Sequence, residues 1–108
     1  MIVKQMRASM ELFLHELGLP KNVKGYRYLL CAAELAAEGV PIGPAMLSEV
    51  GERNGSRYHF VRKSLQCAME RILKTDAGRR YLGECDGQDL YFFLTQLFLK
   101  AYAHGAPQ

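Results

Sequence analysis

Apolar residues recur along this chain at intervals of three and four, the spacing that puts them on one side of an α-helix. Met6, Met10, Phe13, Leu14 and Leu17 share such a face, and Gly18 followed by Pro20 supplies a stop. A first helix is therefore predicted over residues 1–17, its first few residues a frayed lead-in. After the connection Lys21–Lys24, a second helix is predicted from Gly25 to Glu38, with Tyr26, Leu29, Leu30, Ala33 and Ala37 inward and Gly39 as terminator. Val40–Pro44 is too rich in proline for a helix interior and reads as a turn. Pro44 suits the first position of a third helix, to Arg53, which turns Met46, Leu47 and Val50 inward.

Asn54-Gly55 is a strong turn signal, and Ser56 is expected to cap a long helix reaching about Lys74. In that helix Tyr58, Val61, Leu65, Ala68, Met69 and Ile72 form the apolar stripe. A short helix over Ala77–Leu82, capped by Asp76 or Thr75, is followed by a loop at Gly83–Gly87. A last helix over Gln88–Ala103 buries Leu90, Phe93, Leu94, Leu97 and either Phe98 or Tyr102, and the tail His104–Gln108 is expected to fray. Strand-like alternation, internal repeats and low-complexity tracts are missing from the sequence. The pattern predicts an all-α, five- to six-helix bundle forming a single domain over residues 1–108.

The long helix has a second face. His59, Arg62, Lys63 and Gln66 follow the same helical spacing and make a polar, mostly cationic stripe. The net charge of +3 is modest, but the segment Arg53–Arg80 holds eight basic residues against two acidic ones, or +6, leaving −3 for the rest. A local cationic patch on a near-neutral domain fits phosphate binding, and a merely solvated helix face is the competing reading. A short helix, a glycine turn and a two-faced helix over residues 43–74 meet the demands of a helix-turn-helix. Gly51 is the small residue wanted where the two helices approach, Gly55 tolerates a turn conformation, and Val50 and Val61 tie the pair to the core.

Composition narrows the alternatives. The chain is 49% hydrophobic and 23% charged, as in folded water-soluble domains, and no apolar run approaches the roughly 20 residues needed to span a bilayer. The N-terminal residues lack a signal-peptide core, and Cys31, Cys67 and Cys85 form no CxxC pair; free thiols in a reducing cytoplasm are expected. His15, His59 and His104 are too scattered for a metal site, so no metal or cofactor is expected. Cys31 has no neighbouring base for nucleophilic catalysis, no glycine loop cradles phosphate, and Glu34 and Glu38 read as a solvated edge rather than paired catalytic carboxylates. The chain is not expected to be an enzyme.

The run Glu16-Leu17-Gly18-Leu19-Pro20-Lys21-Asn22-Val23-Lys24-Gly25-Tyr26-Arg27-Tyr28-Leu29 resembles the opening of the C-terminal DNA-binding domain family of stage-zero sporulation protein A, a sporulation response regulator. Met46-Leu47-Ser48-Glu49-Val50-Gly51 through Val61, and Ser64 through Glu70, resemble that domain's helix-turn-helix, so the likeness extends over about residues 10–103. The resemblance implies a six-helix bundle that binds promoter DNA, often as paired copies on tandem sites, and regulates transcription. Nothing in the chain corresponds to the receiver domain that ordinarily precedes this domain, so both a stand-alone relative and a piece of a longer regulator stay open, and phosphorylation control is not carried over.

At the positions that read bases, where the family carries Glu, Arg, Arg and His, this chain has Arg62, Lys63, Gln66 and Cys67, so the family's operator does not transfer. The second helix is also about four residues shorter than the family's, and Asn54 replaces an apolar residue before the turn, with Tyr58 a candidate to fill the space. Arg62 has the fork for guanine O6 and N7, Lys63 suits guanine or phosphate, and Gln66 suits adenine. Ser56 and Arg57 are placed for phosphate at the helix start. Arg79 and Arg80 are candidates to clamp the flanking backbone, and His59 to touch phosphate or remain solvated. Cys67 is read as a small packed residue rather than a redox switch. The expected partner is double-stranded DNA, with a homodimer on tandem sites or through the aromatic last helix. The alternative is a protein-interaction module that kept the fold and lost DNA binding.

Overall fold

The computed structural model describes residues 3–105, which form six helices and no strand. They are α1 Val3–Glu16, α2 Lys24–Ala37, α3 Pro44–Arg53, α4 Tyr58–Leu73, α5 Asp76–Leu82 and α6 Leu90–Gly105. Every predicted helix is present, with ends shifted by one or two residues. The expected lead-in at residues 1–2 and the tail at 106–108 lie outside the described residues, whereas His104 continues α6.

α4 is the organising element, packed against α2, α3, α5 and α6, while α1 lies across α2 and α6. The stripe Val61, Leu65, Ala68, Met69 and Ile72 is buried along α4. It joins Met10, Phe13, Leu29, Val50, Leu82 and Phe93 in one apolar cluster fed by all six helices. Each fully buried Leu, Phe or Met in that cluster stabilises the fold by about 1.5–3 kcal/mol relative to exposure. The last helix resolves its open choice: Phe98 is buried and Tyr102 is 49% exposed. Two predicted inward residues are only half-buried, at the rim of the cluster rather than inside it: Ala37 near the end of α2, and Tyr58, which packs against the core while its hydroxyl lies 3.3 Å from that of Tyr91.

Two contacts fix how α4 is held. At its start, Asn54, Gly55 and Ser56 form the turn, with Gly55 at φ +64°, the left-handed region that glycine enters at least cost. The Ser56 amide donates to the Gly51 carbonyl at 2.7 Å, and a Cβ on Gly51 would lie 2.9 Å from the Ser56 carbonyl oxygen. Gly51 is therefore small where the turn into α4 folds back onto α3. Farther along, a Cβ on Gly25 would come within 2.8 Å of both the Ala68 Cβ and the Ser64 carbonyl oxygen. The first turn of α2 thus rests directly on the backbone of α4, an approach that any larger side chain would block.

Capping follows the prediction at one helix and departs from it at another. Thr75, not Asp76, caps α5, its hydroxyl accepting from the Gly78 amide at 2.8 Å. Ser56 does not cap α4: the N-cap position belongs to Arg57, whose side chain makes no cap hydrogen bond. The extra carboxamide at Asn54 is satisfied locally, Nδ2 donating to the Val50 carbonyl at 2.8 Å, so no apolar replacement is needed there. Among the described residues, no helix is long and apolar enough to cross a membrane.

Candidate nucleic-acid interface

Because an α-helix advances about 100° per residue, burying Val61, Leu65, Ala68, Met69 and Ile72 pushes the remaining side chains of α4 onto an outward face with two edges. His59, Lys63 and Cys67 are exposed on that face. The face is not one continuous stripe. Its two edges meet different neighbours, and the predicted readers divide between them.

On the edge toward α6, Arg62 Nη1 donates to the Tyr58 hydroxyl at 3.4 Å and its guanidinium lies 6.0 Å from the centre of the Tyr91 ring. The Tyr58 and Tyr91 hydroxyls are 3.3 Å apart. The hydrogen bond to Tyr91, helped by Arg62, holds the Tyr58 hydroxyl below the usual tyrosine range, while burial and the same bond push Tyr91 above it. Arg62 rests against this tyrosine pair. Gln66, one turn on, is half-buried and donates to the Gly87 carbonyl at 3.4 Å, which ties it to the loop before α6.

The other edge faces the start of α2. Lys63, Cys67 and Arg71 recur four residues apart and, with Lys24, line a groove of about 250 Å³ floored by Leu19 and Ala68. Cys67 is exposed here, which corrects the expectation of a packed residue: at this point of α4 the core is already filled by Ala68 and Met69. Phe60, 55% exposed, stacks on His59 with ring centres 4.3 Å apart. Lys24, Arg71 and Phe60 were not among the predicted contact residues. Arg71 extends the Lys63–Cys67 spacing by one more turn and was findable; Lys24 belongs to a different helix and was not.

Ion pairing sorts the cations. Arg53 is bound to Glu49 at 3.0 Å and lies 3.6 Å from Glu38, which removes it from the basic segment. Arg79 is held by the Asp76 carboxylate and donates to the Lys74 carbonyl at 2.7 Å, so its charge is neutralised within α5. Arg80 lies over the Tyr81 ring at 5.7 Å. Glu34 and Glu38 form ion pairs at the surface: Glu34 binds Arg7 at 2.6 Å and the exposed Glu38 lies 3.6 Å from Arg53. Among the described residues, Lys21, Lys24, Arg27, Arg57, Arg62, Lys63, Arg71, Lys74 and Arg80 make no salt bridge; five of these nine lie on α4 and its caps, and Ser56 lies half-buried in the turn beside Arg57.

These features define a small all-α domain that presents the unpaired cationic side of one central helix. No protein-family model, curated protein or solved structure matches the chain. Among the described residues no group of His, Cys, Asp and Glu is assembled to hold a metal ion.

Proposed function

We propose that the chain is a sequence-specific DNA-binding transcriptional regulator, a relative of the sporulation regulator's effector domain. In this reading α3, the Asn54–Ser56 turn and α4 act as a helix-turn-helix, and α4 enters the major groove of double-stranded DNA. The observation that carries the reading is the distribution of unpaired charge. Carboxylates pair with Arg7, Arg53, Arg79 and Lys100, whereas among the described residues Arg57, Arg62, Lys63, Arg71 and Lys74, all on α4 and its caps, have none; the other unpaired cations, Lys21, Lys24, Arg27 and Arg80, are divided among the remaining segments. Uncompensated cations beside one another cost self-repulsion, which a polyanion relieves. Cys67 then faces base edges, Arg62 and Gln66 join it by exchanging their tyrosine and Gly87 contacts for guanine and adenine, and Lys63, with Arg57 and the Ser56–Arg57 backbone, meets phosphate.

A titration of random and selected duplexes at several salt concentrations tests this. Arg57→Ala or Lys63→Ala should weaken all duplexes alike and reduce the salt slope by about 0.9 each. Arg62→Ala should cost about 1–3 kcal/mol and relax preference at one base position. A wild-type protein with no salt-dependent affinity for any duplex at low ionic strength would sink the proposal.

A second reading has its own observation. Leu99 and Tyr102 are exposed on α6, 60% and 49%, beside a recess lined also by Met6, Ile42 and Phe98. A second copy meeting this side of α6 would cover them. Light scattering that finds a strict monomer with and without duplex rules that contact out.

A further inference from the structure

Resting on the DNA-binding reading and extending it, we infer that the groove between the start of α2 and α4 is a seat for one backbone phosphate, held by Lys24, Lys63 and Arg71. The argument begins at Gly25. Its missing side chain lets the first turn of α2 lie on the backbone of α4, with a virtual Cβ 2.8 Å from Ser64 and Ala68 atoms. That approach carries the preceding residue, Lys24, to the edge of α4 bearing Lys63 and Arg71, and the three side chains line one open groove of about 250 Å³. None of the three makes a salt bridge among the described residues, no acidic residue lines the groove, and Glu70 is the one acidic residue of α4 itself.

The lining supplies what a phosphodiester needs. Arg71 offers a planar fork for two terminal oxygens, and the lysines are point charges on flexible stems. Leu19, Val23 and Ala68 form low-polarity walls, which strengthen the field of the cations around them. Position agrees with chemistry. The major groove is about 12 Å wide, so a helix lying in it is flanked by phosphate backbone on each side. Lys63 belongs both to the outward face of α4 and to this groove, so a strand running beside the inserted helix passes over Lys24 and Arg71. The seat fixes the angle at which α4 lies in the major groove, because it is anchored to a second helix.

The test uses a short duplex selected for binding, with a neutral methylphosphonate placed at each linkage in turn, against the full chain and its Lys24→Ala, Arg71→Ala and doubly substituted variants. Lys21→Ala is the control: it removes the same charge three residues away, but Lys21 borders a different recess with Leu12 and His15. In the wild type, one linkage per bound copy should lose affinity when neutralised, and that linkage should fall silent in the Lys24→Ala/Arg71→Ala variant. The double variant should lower the salt slope by about 0.9, so that affinity falls about threefold less between 50 and 200 mM salt. The two single losses should not add, because both residues hold the same phosphate.

A double variant that keeps the wild-type slope and the full methylphosphonate pattern overturns the seat while leaving DNA binding by α4 intact. So does a Lys21→Ala variant that behaves like Lys24→Ala, since the effect would then be general charge. Absence of any duplex binding by the wild type overturns the DNA-binding reading and the seat together. Far-ultraviolet circular dichroism and thermal midpoints confirm that the variants fold; these exposed positions should leave both unchanged.

Discussion

Gly78→Ala should destabilise the domain by about 3 kcal/mol or more, the upper range for forcing atoms into a packed site. The methyl group has nowhere to go. A Cβ on Gly78 would lie 1.8 Å from the Ile72 carbonyl oxygen, 2.7 Å from its carbon and 2.9 Å from Thr75 Oγ1. Two of those three atoms are backbone, so relief requires moving α5 away from the end of α4. The same movement breaks the hydrogen bonds that join the helices here: Thr75 Oγ1 donates to the Ile72 carbonyl at 2.9 Å and accepts from the Gly78 amide at 2.8 Å. Thr75→Ala is the comparison. It removes the cap alone and should cost about 1 kcal/mol. Urea denaturation of both variants measures the difference, and a Gly78→Ala midpoint no lower than that of Thr75→Ala would show that α5 moves aside freely.

Phe13→Ala should cost about 3–5 kcal/mol and lower the thermal midpoint by about 15 °C or more. Phe13 is fully buried on α1 and touches two other elements. Its ring meets Tyr81 of α5 edge-on at 5.4 Å and His104 of α6 at 5.3 Å. Both of those side chains also reach Glu16, Tyr81 Oη donating to it at 2.9 Å and His104 Nε2 lying 2.8 Å from its other oxygen. Removing the ring leaves a cavity beneath groups fixed by these polar contacts, so the site cannot collapse to fill it. Phe60→Ala, which deletes the same ring from a surface position, should change stability by no more than about 0.5 kcal/mol. Equal shifts for the two substitutions would contradict the assignment of Phe13 to the core.

Much of the fold was readable from spacing. The helices of Met10 and Phe13, of Met46 and Val50, and of Leu65 and Ile72 all bury the predicted faces, because helical periodicity is a property of consecutive residues and needs no knowledge of what covers the face. Misreadings fell where a side chain had a choice of partners. Ser56 had the chemistry of a cap, yet the chain turned back on Gly51 and moved the helix start one residue on. Tyr58 had the spacing of a core residue, yet its hydroxyl found Tyr91. Arg53 and Arg79 counted as free cations in the sequence and are spent on Glu49 and Asp76. The candidate site was half legible: Lys63 and Cys67 lie on the outward face as their spacing requires, but Arg62 leans on the tyrosine pair and Gln66 on the loop at Gly87.

By itself, then, the sequence determined five or six helices, their apolar sides and a cationic side to the one over residues 58–73, all consequences of residue order within single helices. The tertiary structure decided which of those cations remain uncompensated and which stand together. Charge pairing depends on distances between helices, and those are set by where backbones can approach. At Gly25 the absence of a side chain brings α2 onto α4 and puts Lys24 beside Lys63 and Arg71, a meeting of residues 39 and 47 positions apart that no local pattern encodes.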